Sequence, residues 1–325
     1  MEAQVFQKAL ELYGITEQHL VDRLSGGTYN AVYVFEKGDE RFVIRIGELE
    51  FDKETTNGMI AWLQYLGKNQ AAVPKLVNSL QNNHVEYIQT ADRTYSVDVS
   101  AKISGENARN RVRQTQDMSW AETFGQAVGK IHQLAMTNPP EQVLQIRPHW
   151  DQIGNDFNPP VKLSPGEIEI HRKRTAILDQ IQELPKTPDV YGLVHLDLHL
   201  GNILLHADSL AITILDFDDV AFGWFVMDLV APITDIFVCH SGQAKDELIN
   251  TYLAEAIIGY QLERELSVAN QAQIPLLLNL LEIELYTRFH KMKVWQQENG
   301  WVKTFMTDRK ERIEAGIPFV NIDIG

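Results

Sequence analysis

Residues 191–219 read YGLVHLDLHLGNILLHADSLAITILDFDD, a stretch in which carboxylates, an amide and imidazoles interrupt apolar, strand-like runs. Two strand candidates, 201–205 and 211–215, flank the segment His-Ala-Asp-Ser at 206–209, whose small and polar residues suit a short hairpin connection. An antiparallel pairing brings Asp197 and Asn202, which precede the first strand, to the same end as Asp216, Asp218 and Asp219, which follow the second. Oxygen donors grouped in this way can hold a hard divalent cation and serve as a base. Two other readings compete. His195, Asp197 and His199 alternate and would share one strand face as the metal ligands of a hydrolase. An ordinary hairpin with solvated loop acids would do no chemistry. Neither needs Asn202 at its spacing or the downstream Asp216.

The order His-x-Asp-x-x-x-x-Asn, followed after one hairpin by Asp-Phe-Asp, is similar to the paired catalytic-loop and metal-binding motifs of protein kinases. More narrowly, HLDLHLGN with LDFDD resembles the aminoglycoside phosphotransferase and choline kinase-like family, also called the phosphotransferase enzyme family. His199, Gly201 and the second Asp after Phe217 favour that branch over the eukaryotic protein kinases. The resemblance spans about residues 20–290 and is most specific over 191–230.

The resemblance implies an α+β, two-lobed protein kinase-like fold. Residues 1–100 would form a small antiparallel-sheet lobe that binds nucleotide, and residues 101–325 a larger, mainly helical lobe for catalysis and substrate binding, with the nucleotide between them. The implied reaction moves the γ-phosphate of ATP, with Mg²⁺, to a hydroxyl of a small molecule such as an amino sugar, an amino alcohol or a homoserine-like compound. Asp197 would be the catalytic residue, accepting or orienting the hydroxyl proton, and Asn202 and Asp216 would hold the metal. Asp218 would assist the metal or orient its loop, His195 would be structural, and Asp228 would support the catalytic-loop backbone. A stress-response-type Ser/Thr protein kinase and a nucleotide-binding pseudokinase stay open as alternatives.

In the same resemblance the first lobe supplies the phosphate contacts. Gly26, Gly27 and Thr28 would form the loop that covers the phosphates, since glycine lets backbone N–H groups approach closely. Arg45 stands where the family places the basic residue that contacts the α- and β-phosphates, and its forked donors suit phosphate oxygens. The following helix usually carries a Glu partner for that cation, but here Met59 takes its place. Glu54 or Glu50 from a neighbouring turn could substitute, or Arg45 has another partner, so the family's ion pair is not implied here.

Composition sets the outer bounds. With 325 residues, 44% hydrophobic and 22% charged, the chain is an ordinary globular one, large enough for one large or two ordinary domains. A formal charge of −15 argues against nucleic acid or an anionic membrane as the main partner and is compatible with a cationic acceptor. The single cysteine, Cys239, excludes an intrachain disulfide, and its apolar context suggests a buried, inert thiol. No basic leader, spanning apolar run, internal repeat or G-x-x-x-x-G-K-[ST] loop occurs, so the expectation is a cytoplasmic protein that is not a P-loop kinase.

The elements that must position these residues follow from periodicity. Residues 4–13 read as a short amphipathic helix, 21–35 and 41–46 as strands, 52–66 as a helix, and 73–77, 84–88 and 94–103 as further strands. Arg109, Arg111 and Arg113 suggest a solvated basic loop rather than an anion site for the second substrate. Ser119-Trp-Ala-Glu122 reads as a capping box opening a core helix that contains His132. Residues 137–163 look irregular, with Trp150 and Asp151 either anchoring a loop or facing the acceptor, and Ser164-Pro-Gly-Glu167 opens another helix. Helices are expected over 243–262, 274–297 and 301–315. Glu284 and Arg288 would pair one turn apart, while Glu282 and Tyr286 are weaker acceptor-pocket candidates.

Overall fold

The alternation in VYVFEKGDERFVIRI becomes a hairpin in the structure, a computed structural model describing residues 3–24, 30–49, 52–152, 167–239, 244–292 and 300–322. Its strands are β1 (Leu20–Leu24), β2 (Asn30–Lys37) and β3 (Glu40–Glu48). Lys37 pairs with Glu40, so the turn has two central residues, and Gly38 takes the first at φ +64°. That left-handed position is the one where a twisted hairpin favours glycine.

Further along come β4 (Leu76–Val77), β5 (Val85–Gln89) and β6 (Thr94–Ala101). The antiparallel sheet runs β1-β2-β3-β6, with β4 and β5 both pairing the far edge of β6. Period-two alternation sends Ile44, Ile46, Val97 and Val99 to one face, where they pack with Val5, Ala9, Leu10 and Ile15 from helix Ala3–Leu12 and its following turn. Arg45 and Asp98 alternate with those residues and therefore occupy the opposite face. Helix Lys53–Lys68 begins at Asp52, whose Oδ1 accepts from Thr55 N–H at 2.7 Å, and it packs on the short helix Glu141–Ile146. Gly58 permits that approach, since a Cβ there would lie 2.2 Å from Ile146 Cδ1. Residues Met1–Gly105 and Pro139–Ile146 make up this unit.

The second unit, Glu106–Asn138 with Arg147–Gly325, is mainly helical. Its small sheets comprise β7 (Gly105–Asn107), β8 (Tyr191–Val194), β9 (Ile203–His206), β10 (Ile212–Ile214) and β11 (Ala221–Trp224). β9 lies between β10 and β7, and β8 pairs with β11. Helix Ile274–Met292 is apolar nearly all round, and Leu277, Leu278, Leu280, Leu281, Ile283 and Leu285 are all buried, as expected of a helix enclosed by others. Helices Ala121–Thr137 and Ala244–Gln261 meet backbone to backbone. A Cβ on Gly259 would lie 1.8 Å from Glu122 O, and one on Gly125 1.9 Å from Ala256 O.

The α+β class, with an antiparallel-sheet region preceding a helical one, is the one the resemblance implies. Several local expectations change. Ser119 does not cap: a turn closed by Ala121 N–H to Met118 O shifts the helix start, Ser119 N–H donates to Asp117 Oδ1, and Trp120 at the helix entry makes no side-chain cap. The helix expected over 301–315 divides into Gly300–Met306 and Arg309–Ala315 because Asp308 is left-handed at φ +51°. This turn buries Arg309 against Glu282 (2.6 Å) among Phe237, Phe305 and Phe319. Glu282 is thus an internal partner and not an acceptor contact. Tyr286 likewise donates its hydroxyl to Glu167 Oε1 at 2.7 Å. Glu284 is bonded by Arg174 of helix Ile168–Gln182 at 2.6 Å, and the field of Arg288 also favours its charge. Residues 164–166 of the expected cap lie outside the described residues, and Glu167 makes no side-chain cap. Cys239 is only half-buried, and burial pushes its thiol up.

Candidate active site

The hairpin β9–β10 forms with Ile203 opposite Ile214 and Leu205 opposite Ile212. Leu215 N–H donates to Asn202 O at 2.8 Å, which sets Asp216 beside the turn that carries Asn202. The strand begins later than its apolar run suggests, because Leu200–Asn202 is a 3₁₀ turn started by His199, whose Nδ1 accepts from Gly201 N–H at 3.0 Å. That bond leaves the proton of His199 on Nε2, which lies 3.8 Å from Asp197 Oδ2.

Asn202 folds back on Asp197. Its Nδ2 donates to Asp197 O at 2.8 Å and to Asp197 Oδ2 at 3.2 Å. The amide nitrogen is thereby committed, which leaves Oδ1 as the acceptor atom of that side chain. The side chain of Asp197 is 30% exposed. Asp216 is left-handed at φ +64°, a conformation an aspartate tolerates. Leu196 is also left-handed, at φ +67°, and for a leucine this costs on the order of 1–3 kcal/mol.

The surrounding contacts hold that conformation. Asp228, 1% exposed, accepts from Leu196 N–H at 2.9 Å and from His195 N–H at 2.7 Å. His132 Nε2 approaches the same carboxylate at 3.0 Å, and Tyr260 Oη meets His132 Nδ1 at 3.1 Å. Burial alone would push the Asp228 carboxyl up, but the donors from His132 and the loop outweigh it and hold it below its ordinary value. Burial lowers His132, so the imidazole is held neutral. His195 stands between the two motifs: Nε2 donates to Leu215 O at 2.8 Å and the ring packs on Phe217 with centroids 4.7 Å apart. His195 is 3% exposed, with Nε2 spent on a carbonyl and Nδ1 buried, so neither nitrogen is open to a metal entering from solvent. Among the described residues no group of three His, Cys, Asp or Glu is placed to hold one.

Three contributors escaped the sequence reading. Asp235, 1% exposed, accepts from Leu200 N–H at 3.0 Å and from Arg109 Nη2 at 2.7 Å. Arg109 is therefore on a helix, Ala108–Thr115, and ion-paired, not part of a solvated loop. The only sequence signal was an acid inside the apolar run VMDLVAPITDIFV, seven residues after Asp228. Arg147 is buried and donates from Nη1 to Asp218 O at 2.8 Å, tying the backbone after Phe217. Burial pulls its guanidinium down from its usual range, opposed by the fields of Asp218 and Asp219. Trp150 is 4% exposed and stacks edge-on against Trp224, so it anchors its loop.

In the first unit, Arg45 has a carboxylate that the helix does not supply. Arg45 and Asp98 are direct cross-strand partners of β3 and β6, with Nε 2.9 Å from Oδ2. Met59 instead faces the core at 3% exposure, and Glu54 is exposed. Asp98 is the third missed residue; its place in VDVSA, between core valines, was its signal. Gly26, Gly27, Thr28 and Glu50 lie outside the described residues. No helix among the described residues is long and apolar enough to cross a membrane.

Known proteins share this architecture. The model of the phosphotransferase enzyme family matches residues 21–266. An amicoumacin kinase of Bacillus subtilis (strain 168) is 25% identical, over 99% of this chain and 95% of that one. Among solved structures, an amicoumacin kinase in complex with AMP-PNP, Ca²⁺ and Ami is similar with a TM-score of 0.84 at 23% identity, covering 99% of this chain and 96% of the other. A microcompartment-associated aminopropanol kinase gives 0.71 at 20% identity, covering 97% and 98%.

Proposed function

The chain belongs to the phosphotransferase enzyme family, and from that premise we propose that Asp197, Asn202 and Asp216 serve transfer of the γ-phosphate of ATP to a hydroxyl of a small molecule. The acceptor is an amine-bearing alcohol. Support for that class comes from the net charge of −15 and from relatives named for amicoumacin and aminopropanol. The reaction takes place in the cytoplasm, where ATP is supplied.

The observation that carries the reading is the bonding of Asn202 to Asp197. One side chain orients the other, so a proton acceptor and a cation ligand are built as a single piece. Asp197 accepts or orients the proton of the acceptor hydroxyl as its oxygen approaches phosphorus. Hard oxygen donors fit Mg²⁺, and Asn202 Oδ1 with the Asp216 carboxylate would hold it. When bound, the metal neutralises charge on the phosphate oxygens. Arg45, steadied by Asp98, contributes a fixed positive charge to phosphate binding, and Gly26, Gly27 and Thr28 supply backbone N–H groups. Positioning and electrostatics provide the acceleration, since the protein forms no covalent bond to the phosphoryl group.

A panel of amino alcohols, amino sugars and hydroxylated amino acids, screened for ATP-dependent phosphorylation, tests the acceptor class. Asp197→Ala is expected to lower transfer by at least about 100-fold while keeping Mg-nucleotide affinity, the range for a lost acid–base group. Asp216→Ala is expected to weaken Mg-nucleotide binding as well. Full transfer by Asp197→Ala would overturn its role, and phosphorylation of proteins but of no metabolite would favour the protein-kinase alternative.

A further inference from the structure

Asp228 and Asp235 stand seven residues apart on helices Val226–Val230 and Pro232–Cys239, joined through Ala231 in helical conformation. Seven residues nearly complete two turns, so the two acids project to one side about 10 Å apart. Asp228 grips the loop just before Asp197. Asp235 grips it afterwards, at Leu200, where the 3₁₀ turn containing Asn202 begins. Its Oδ2 takes the turn's first N–H, a donor that a helix start leaves without an internal partner.

Arg109 aims that carboxylate. Its Nε and Nη2 both donate to Asp235 Oδ2, at 3.1 and 2.7 Å. Its Nη1 abuts the same turn: a Cβ on Gly201 would lie 3.1 Å from it. The guanidinium thus closes on the turn from outside while the carboxylate holds it from within. Packing alone does not require such a pair, because well-packed apolar residues replace buried ion pairs at little cost.

We propose that Asp235, aimed by Arg109, is a positioning residue for the metal side of the site, setting through Leu200 the direction in which Asn202 presents Oδ1. The two buried acids divide the loop. Asp228 orients the segment carrying the proton acceptor, and Asp235 orients the turn carrying the cation ligand. This rests on the reading of Asn202 as a metal ligand.

Calorimetric titration of AMP-PNP into the full chain, with and without Mg²⁺, tests it independently of turnover. In Asp235→Ala the gain in affinity due to Mg²⁺ is expected to shrink roughly tenfold or more, the scale for a group supporting a metal ligand, with metal-free affinity unchanged. Arg109→Gln, at a partly exposed side chain, is expected to lose about threefold of the same gain. A variant that merely lowers the folded fraction changes the apparent number of sites and leaves the ratio of affinities intact. An unchanged Mg²⁺ gain in Asp235→Ala, or in Arg109→Gln should the first variant fail to fold, overturns the proposal. If the wild-type chain shows no Mg²⁺ gain, or Asn202→Ala retains it, the metal-ligand reading itself fails and takes the proposal with it.

Discussion

Asp228→Asn keeps the side chain's shape and removes one acceptor from a carboxylate that serves three donors, at 2.7, 2.9 and 3.0 Å. With the amide oxygen toward Leu196, the NH₂ group faces the His195 N–H, and one buried backbone donor loses its partner. The opposite orientation satisfies His195 and strands Leu196, whose φ of +67° already needs support. Either way a buried donor goes unmet at a cost of about 1–3 kcal/mol. His132 adapts, because it can shift its proton to Nδ1, toward Tyr260. A loop weakened by about 2 kcal/mol relaxes out of its active geometry roughly 30-fold more often. We therefore expect kcat to fall about 10- to 100-fold, while KM for ATP changes less than about threefold. The melting temperature should drop by only about 2–6 °C, given the size of the chain. ADP release in a coupled spectrophotometric assay, alongside thermal unfolding by circular dichroism, measures both. A kcat within about twofold of wild type, with the melting temperature lowered as expected, would refute the argument that the Leu196 conformation orients Asp197.

Two further outcomes follow from the helical unit. Burial pushes Glu284 up from 4.5 to about 7, so its contribution to stability is fully present below about pH 4.5 and is lost as pH rises through 7. Glu284→Gln should therefore flatten that decline and stabilise the fold by about 1–2 kcal/mol near pH 8, and a pH slope equal to wild type in chemical denaturation would count against it. Gly259→Ala places a Cβ 1.8 Å from Glu122 O and must push two helices apart, costing about 3 kcal/mol or more. An unshifted urea midpoint would mean that these helices are not in backbone contact.

The parts legible in the sequence are those whose cause is local. The 191–219 block could be read because its strands are joined by a short connection, so apolar runs on either side pair with only one plausible register. Asp197 and Asn202 are five residues apart, and their spacing alone suffices to bring them together. The capping box at Ser119 failed for the complementary reason: its local signal was sound, but the buried turn at Met118–Trp120 moved the helix start. The pairing of Glu284 with Arg288 one turn on was incomplete, because Arg174, 110 residues away, bonds the same carboxylate whose charge Arg288 also favours.

The sequence by itself determined the class of chemistry, since the order and spacing of His195, Asp197, Asn202 and Asp216 depend on one hairpin and its flanking turns. Only the tertiary structure decided what steadies that chemistry. Arg45 finds Asp98 across 53 residues and Arg109 finds Asp235 across 126. Asp228 sustains a left-handed leucine 32 residues upstream. Such partners are chosen by burial, where an unpaired charge or N–H is costly, and burial belongs to the assembled fold and not to any segment of it.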